Sequence, residues 1–238
     1  MSSLYLMRHG QAGLRHRYDT LSDLGHAQAR RLGEYLVAQN INFHAVYSGE
    51  LSRQQETACE VASAFQRAGR AMPEIQIDRN WNEFDLDMVY KAIAPRLSAD
   101  DSEFQAEHEK LLRQLDDENS SVHRAWTQCD TLVVRAWVEG QYEVPGESWQ
   151  VFRERVCRAL ETLQRFSSGD TIAIFSSATP IAVWIGMALG LNARHTLRLA
   201  GVTYNAALTT MRVREDDLAL YSFNGTAHLP EPHLRTFR

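Results

Sequence analysis

The chain has 238 residues, of which 44% are hydrophobic and 23% are charged. That length can bury the core of one α/β domain, with or without a sizeable insertion. The net charge of −5 argues against a general nucleic-acid-binding protein, because such proteins usually carry a strong basic bias. The longest apolar run, around Thr179 to Leu191, is too short to span a membrane, so we expect no membrane partner.

The cysteines indicate the compartment. Cys59, Cys129 and Cys157 are odd in number, lie far apart and form no CxxC motif. This pattern predicts reduced thiols, and neither a disulfide framework nor a zinc site. The first residues show no basic stretch followed by an apolar run and a small-residue cleavage site, so we expect no signal peptide and a cytoplasmic location.

The first third of the chain alternates short apolar strands with amphipathic helices, which is typical of a parallel α/β sheet. In chain order we predict a strand over 4–7, a helix over 22–39, a strand over 45–47, a helix over 52–68 and a strand over 74–77. Ser22 is expected to cap the first helix. In that helix Gly25, Ala29 and Gly33 recur every fourth residue, which predicts close packing on the sheet.

The rest of the chain predicts a helical insertion and then a return to the sheet. Residues 86–141 are mostly helical in pattern and rich in charge, which predicts a helical cap within a single domain of residues 1–238. After a break at Pro145-Gly146-Glu147-Ser148 we predict a helix to about 166, a strand over 171–175, a helix from about Pro180, a hairpin of 206–213 with 218–223, and a loop-like tail. The predicted fold class is α/β, a three-layer sandwich with a mostly parallel central sheet flanked by helices and an inserted helical cap.

Polar side chains follow four of the predicted strands. Arg8 and His9 follow the first strand, Arg53 comes shortly after the second, Glu83 lies beyond the third, and Ser177 follows the fourth. Because the carboxyl ends of parallel strands meet at one edge of a sheet, these groups are expected to lie together. A histidine nucleophile, arginines for the equatorial oxygens and an acid for the leaving oxygen suit phosphoryl transfer.

With these residues the chain resembles the histidine phosphatase superfamily, which has the phosphoglycerate-mutase-like fold. The RHG motif of that family matches at Arg8-His9-Gly10. Further family segments match in the same order outside the predicted cap: Leu21-Ser22 with Gly25, Gln28-Ala29, Leu32-Gly33 and Leu36; Tyr47-Ser48-Gly49 with Leu51, Arg53 and Glu56-Thr57-Ala58; Asn82-Glu83; Gly146-Glu147-Ser148 with Arg155; and Asn224 with His228. RHG alone is a weak signal, whereas RHG with these ordered companions is specific.

The resemblance implies a metal-independent phosphomonoester hydrolase that needs no cofactor. His9 would attack phosphorus through an unprotonated ring nitrogen and form a phosphohistidine. Arg8 and Arg53 would hold the phosphoryl oxygens, while Glu83 would protonate the leaving alkoxide and then help to activate water. Arg15 lies where some family members place a phosphate-contacting polar side chain. The expected partner is a small phosphorylated substrate or a phosphoprotein, and the oligomeric state is left open.

One position departs from the family pattern. The family usually has a second histidine directly after its last core strand, where this chain has Ser177. Removing one transition-state donor of this kind costs roughly 3–4 kcal/mol. We expect the Ser177 hydroxyl to contact phosphate instead, together with backbone N–H groups before the Pro180 helix. The turn also resembles a serine-containing variant found in one branch of the superfamily.

Two alternatives to a phosphatase therefore stay open. One is a phosphoglycerate-type mutase, and the other is a catalytically weak module that binds a phosphorylated ligand. His228, in the late loop, is expected to be structural and not a replacement for the missing histidine. A dinucleotide-binding protein is disfavoured because no GxGxxG motif follows the first strand.

Overall fold

The computed structural model describes residues 2–163, 166–214 and 217–237. The strands are β1 (Ser2–Arg8), β2 (Ala45–Ser48), β3 (Ile75–Ile77), β4 (Thr171–Ser176), β5 (Leu208–Arg214) and β6 (Asp217–Gly225). The α-helices are α1 (Asp23–Ala38), α2 (Ser52–Arg67), α3 (Leu86–Asp100), α4 (Ser102–Gln114), α5 (Gln128–Val138), α6 (Trp149–Leu163), α7 (Ala178–Leu189) and α8 (Ala193–Val202). Short 3₁₀ turns cover Arg15–Arg17, Arg79–Trp81, Ser121–His123 and Pro232–Leu234.

The strands form one six-stranded sheet in the order β3-β2-β4-β1-β5-β6. Strands β1 to β4 are parallel to one another, whereas β5 runs antiparallel to β1 and β6 antiparallel to β5. The last pair of the β1–β4 register joins Arg8 to Ser176, so β1 and β4 end side by side in the middle of the sheet. This edge is where ligand sites of open α/β sheets lie.

Both faces of the sheet are buried at its centre, which the alternation along β4 shows directly. Ile172 and Ile174 pack in one core cluster with side chains of α6 and α7, while Ala173 and Phe175 pack in a second cluster with side chains of α1 and α2. Successive side chains of a strand point to opposite faces, so the sheet separates two layers of helices. The predicted three-layer α/β class is confirmed.

The close packing predicted for α1 occurs, but its partners differ from the prediction. A Cβ atom at Gly33 would lie 2.7 Å from the Cβ of Ala64 and 2.9 Å from the Cα of Val61, so Gly33 allows α1 to approach α2. Gly25 instead faces the backbone of Gln11, in the loop after β1. The expectation that these glycines pack on the sheet is wrong, because the apolar leucines of α1 take that face.

Helices α7 and α8 also differ from the predictions. Helix α7 begins at Ala178 and places Pro180 within its first turn, where the missing N–H of proline breaks no helical hydrogen bond. Helix α8 was not predicted, although Asn192 caps it by accepting a hydrogen bond from the His195 N–H. The end predicted for α6 and the turn predicted between β5 and β6 fall partly on residues 164–165 and 215–216, outside the described residues.

The segment predicted as a cap is helical. Helices α3, α4 and α5 pack against one another within residues 86–141, and α5 also contacts α8. The division of the chain into one domain with a cap at about 86–141 stays a prediction. No helix in the described parts of the chain combines the length and the apolarity that a membrane span requires.

Candidate active site

His9 follows the last residue of β1 and is almost fully buried, with 1% of its surface exposed. Its backbone N–H donates to Ser176 O over 2.9 Å, which continues the β1–β4 ladder by one bond. Nδ1 lies 2.7 Å from Gly10 O, and a carbonyl only accepts, so Nδ1 holds the ring proton. Nε2 therefore keeps its lone pair, as a nucleophile requires.

The lone pair of His9 faces a cation. Nε of Arg53 donates to His9 Nε2 over 3.3 Å, which is possible only if Nε2 is unprotonated. Burial, and then the charges of Arg53 and Arg8, hold the pKa of His9 well below its ordinary value. The ring stays neutral and nucleophilic in mildly acidic solution.

The backbone around His9 is fixed by groups distant in sequence. The carbonyl of His9 accepts from the Ala206 N–H at 3.0 Å and from Asn205 Nδ2 at 3.4 Å. The Gly10 N–H donates to Thr57 Oγ1 at 3.0 Å. A Cβ atom at Gly10 would overlap the backbone of Gly25, so glycine is required for this close approach. Asn205 was not predicted as a supporting residue, since nothing in its local pattern marks it.

Arg53 lies in the first turn of α2, directly after the β2 edge. Its Nη1 donates to Asp19 Oδ1 over 2.9 Å, and its guanidinium lies 4.9 Å from the ring centroid of Tyr18. These two contacts orient the guanidinium, while Nε remains directed at His9. Asp19 and Tyr18 were missed in the sequence, because the loop after β1 has no regular pattern.

Arg8 is the last residue of β1 and is held by carbonyls. Its Nη1 donates to Thr203 O, and its Nη2 donates to Phe237 O over 2.7 Å. Among the described residues its Nε has no hydrogen-bond partner although it is buried. Arg8 also lines the cavity, so its positive charge acts on any anion bound there.

Glu83 supplies a carboxyl group to the same cavity. Its Oε1 accepts from the Phe84 N–H at 3.2 Å, and its Oε2 accepts from the Thr179 N–H at 3.1 Å. Burial nevertheless raises the pKa of Glu83 above its ordinary value. A carboxyl group with a raised pKa keeps its proton longer and suits general-acid catalysis.

Hydrogen bonds to backbone carbonyls hold residues 79–82, the segment that leads to Glu83. Arg155 donates from Nη1 to Arg79 O at 2.7 Å and to Asn82 O at 3.2 Å. Trp81 O accepts from the hydroxyl of Ser176 at 2.7 Å and from Gln54 Nε2 at 3.1 Å. These contacts from β4, α2 and α6 set the position from which Glu83 extends.

Arg155 is itself held by Glu147 in a bidentate pair. Nε and Nη2 of Arg155 donate to Oε1 and Oε2 of Glu147 at 2.7 and 2.9 Å. Arg155 is buried, so the pair is shielded from solvent on the arginine side. The matched segment Gly146-Glu147-Ser148 thus acts on the site through Arg155.

Five of the six predicted site residues line one cavity of about 1640 Å³: Arg8, His9, Arg53, Glu83 and Arg15. Arg15 lines the same cavity, but its guanidinium is paired with Asp130 of α5, at 2.6 Å from Nη2 to Oδ2 and 3.0 Å from Nη1 to Oδ1. That pair joins the loop after β1 to α5.

Ser177 differs in position from the other predicted site residues. It is buried, does not line the cavity, and its hydroxyl accepts from Gln54 Nε2 at 2.9 Å. Its neighbours Ala178 and Thr179 face the cavity. Contact of Ser177 and Arg15 with phosphate stays a prediction.

His228 lies apart from this cluster, as expected for a structural residue. It packs 5.7 Å from the ring of Tyr35, and its Nε2 lies 2.9 Å from Ala206 O. Burial lowers the pKa of His228 to about 4. Among the described residues, no three His, Cys, Asp or Glu side chains are grouped so that they could hold a metal ion.

Comparison with known proteins places this geometry in a family. The sequence profile of the histidine phosphatase superfamily (branch 1) matches residues 4–121 and 119–226. A curated relative, the mitochondrial serine/threonine-protein phosphatase Pgam5 of Caenorhabditis elegans, is 22% identical over 158 residues, which are 62% of this chain and 52% of that protein. This chain therefore spans about half the length of that relative.

Solved structures share the fold over nearly the whole chain. YhfR of Bacillus stearothermophilus has a TM-score of 0.65 at 18% identity and covers 96% of this chain and 99% of its own. An alpha-ribazole-5'-P phosphatase of Escherichia coli, described as putative, gives 0.61 at 20% identity, covering 94% and 98%. Phosphoserine phosphatase of Entamoeba histolytica gives 0.58 at 19% identity, covering 96% and 100%. With most of its length matched by the family profile, the chain belongs to the histidine phosphatase superfamily, branch 1.

Proposed function

We propose that the protein is a phosphomonoester hydrolase that works through a phosphohistidine on His9. The observation that supports this most strongly is the pair of His9 Nε2 and Arg53 Nε, 3.3 Å apart, because an unprotonated ring nitrogen beside a fixed cation is prepared for attack on an anionic phosphoryl group. Arg8 and Arg53 hold the phosphoryl oxygens in this proposal. The chemistry needs no metal ion and no cofactor.

The reaction has two steps. In the first, His9 Nε2 forms a bond to phosphorus, the bond from phosphorus to the alcohol oxygen breaks, and that oxygen takes the proton of Glu83. In the second, the oxygen of a water molecule forms a bond to phosphorus while Glu83, now a carboxylate, accepts a proton from that water. The bond from phosphorus to Nε2 breaks, its electron pair returns to the ring, and inorganic phosphate leaves. The raised pKa of Glu83 and the lowered pKa of His9 both favour the protonation states in which the first step begins.

The relatives of this chain are named for different activities. Its relatives include a serine/threonine-protein phosphatase, a phosphoserine phosphatase and a phosphoglycerate mutase from Bacillus anthracis. We propose a small phosphorylated substrate or a phosphoprotein for this chain, and no nucleic acid. We also propose a cytoplasmic location, which the free thiols of Cys59, Cys129 and Cys157 support.

A second candidate is a module that binds a phosphorylated ligand with little turnover. The observation that favours it is Ser177, which stands where the family usually has its second histidine and whose hydroxyl is bonded to Gln54. A mutase is the third candidate, and it would differ in returning the phosphoryl group to a second position of the substrate.

The test is to mix the protein with an aryl phosphate, quench in alkaline denaturant, because the phosphorus–nitrogen bond is labile in acid, and map any phosphorylated residue by mass spectrometry. We expect phosphate on His9, no adduct and no turnover in His9→Ala, and normal behaviour in His233→Ala, whose imidazole is exposed. A chelator such as EDTA should leave the rate unchanged.

Other outcomes favour the other candidates. No adduct and no turnover, with phosphate still bound in a calorimetric titration, would support the binding module. Transfer of phosphate between the carbons of 3-phosphoglycerate would support the mutase.

A further inference from the structure

The cavity at His9 is much larger than a phosphoryl group needs. It measures about 1640 Å³ and extends from the β1 edge to the helices α3, α4 and α5. Pockets for small ligands usually measure about 300–1000 Å³. The remaining volume must accept the part of the substrate that leaves as the alcohol.

The wall of that remaining volume is mainly apolar. Leu111 and Leu115 line it at α4 and directly after it, Val138 lines it from α5, and Leu197 lines it from α8. Leu112 and Trp126, which also line the cavity, are among the few large apolar side chains of the described chain that stay exposed, at 50% and 43%. Exposed apolar groups around one cavity are typical of a binding surface for an apolar ligand.

Most charged groups of the cavity fall into two sets. Arg8, Arg53 and Glu83 lie at the β1 edge around His9. The second set lies on the surrounding helices and is exposed to solvent: it includes Lys91 of α3, Arg135 of α5, and Arg194 and Arg198 of α8. Exposed cations attract an anionic substrate and raise its rate of association, but in water they contribute little to holding its alcohol portion.

We propose that the substrate is the phosphomonoester of a bulky apolar alcohol, such as an alkyl chain or a fused aromatic ring system, which the cap binds through its apolar wall. This rests on the proposed phosphatase function and adds the class of alcohol to it. Compact substrates with a second charge, such as a phosphorylated sugar acid or phosphoserine, leave most of the apolar wall uncovered.

A series of n-alkyl phosphates from ethyl to octyl tests the proposal. The leaving alcohols of this series have nearly the same acidity, so a change in kcat/KM reports binding of the chain and not chemistry. We expect kcat/KM to rise about three- to fourfold for each added methylene until the chain fills the cavity. A flat series, or faster turnover of 3-phosphoglycerate, phosphoserine or a phosphoserine peptide than of octyl phosphate, would overturn the proposal.

Variants of the apolar wall test whether this wall binds the alkyl chain. The double change Leu112→Gln with Trp126→Gln should lower kcat/KM for octyl phosphate about tenfold and leave ethyl phosphate unchanged. Leu189→Gln is the matched control, because Leu189 is 53% exposed and does not line the cavity. An equal effect of the control, or no effect of the double change, contradicts the assignment of the wall.

Binding of alkyl phosphonates separates this proposal from the phosphatase function. These compounds cannot be hydrolysed, and calorimetry should show affinity rising with chain length even if the protein has no turnover. Chain-length-dependent binding without turnover would reject the hydrolase and keep the ligand class. Turnover dependent on His9 without any chain-length effect would keep the hydrolase and reject the ligand class.

Discussion

Nε of Arg53 donates to Nε2 of His9 over 3.3 Å, so the proposed nucleophile faces a cation before any phosphate is bound. The same contact lowers the proton affinity of the ring, after the larger effect of burial. In the proposed mechanism, binding of the anion and activation of the nucleophile thus depend on one side chain.

We therefore expect kcat/KM to persist at acidic pH values at which an ordinary histidine is protonated. The acidic limb of the profile should report His9, and it should move to higher pH in Arg53→Gln, since a positive charge that lowers the pKa is removed. Phosphate affinity should fall about tenfold or more in the same variant. Arg30→Gln, an exposed arginine on α1, is the control. An unchanged acidic limb together with unchanged phosphate affinity contradicts the role of Arg53.

The loss of rate in Glu83→Gln should depend on which alcohol leaves. With an alkyl phosphate we expect a loss of about a hundred- to ten-thousandfold in kcat, because the alkoxide needs a proton. With 4-nitrophenyl phosphate the loss should be much smaller, because that leaving group needs none. Asp87→Asn, an exposed carboxylate lining the same cavity, should show no such difference. Equal losses for both substrates would mean that Glu83 is not the acid.

Arg155→Gln should act through Glu83. The carbonyls of Arg79 and Asn82 lose their donor, and the displaced carboxyl should reduce kcat for an alkyl phosphate about tenfold to a hundredfold. A smaller loss for an aryl phosphate distinguishes this positioning role from general destabilisation, which affects both equally. Arg153→Gln, an exposed neighbour on α6, is the control. The unfolding free energy of Arg155→Gln should also fall by about 3 kcal/mol, because Glu147 loses its partner.

Ser177→His tests whether the turn is built around serine. Ser177 is buried and bonded to Gln54, so an imidazole there overpacks the site and should lower the unfolding free energy by about 1–3 kcal/mol without raising kcat. Ser177→Ala should cost only about 1 kcal/mol, from the lost hydrogen bond. A gain in kcat in the histidine variant, measured with an aryl phosphate, would contradict this expectation.

His228 should make stability depend on pH. Its pKa is about 4 in the folded protein and about 6.5 in an unfolded chain, so below pH 6.5 the unfolded chain binds a proton that the folded chain does not. Stability is therefore lost as the pH falls from 6.5 to 4, by about 3 kcal/mol from this residue. Urea unfolding at several pH values should show this dependence reduced in His228→Asn and kept in His233→Gln.

The part of the site that sequence could predict is the part fixed by strand ends. His9, Arg8, Arg53 and Glu83 follow strands that are parallel, and parallel strands bring their carboxyl ends together, so their meeting around one cavity follows from topology. The sequence pattern does not predict the direction in which an individual side chain points.

Ser177 and Arg15 show this limit. Both were predicted to contact phosphate, but Ser177 is bonded to Gln54, and Arg15 is paired with Asp130 of α5, 115 residues away. Similarly, α8 was missed because ten residues after a short turn give little periodicity, and its capping Asn192 is a weak signal alone.

The position of β1 in the sheet has a consequence for synthesis. β1 pairs with residues 171–176 on one side and with residues 208–213 on the other, so β1 leaves the ribosome well before either of its partners in the sheet is made. Long-range pairing of this kind is slow, because a large loop must close before it is stabilised. His9 therefore gains its place beside Ser176 only after β4 has emerged, and until then the proposed nucleophile is not assembled with the groups that orient it.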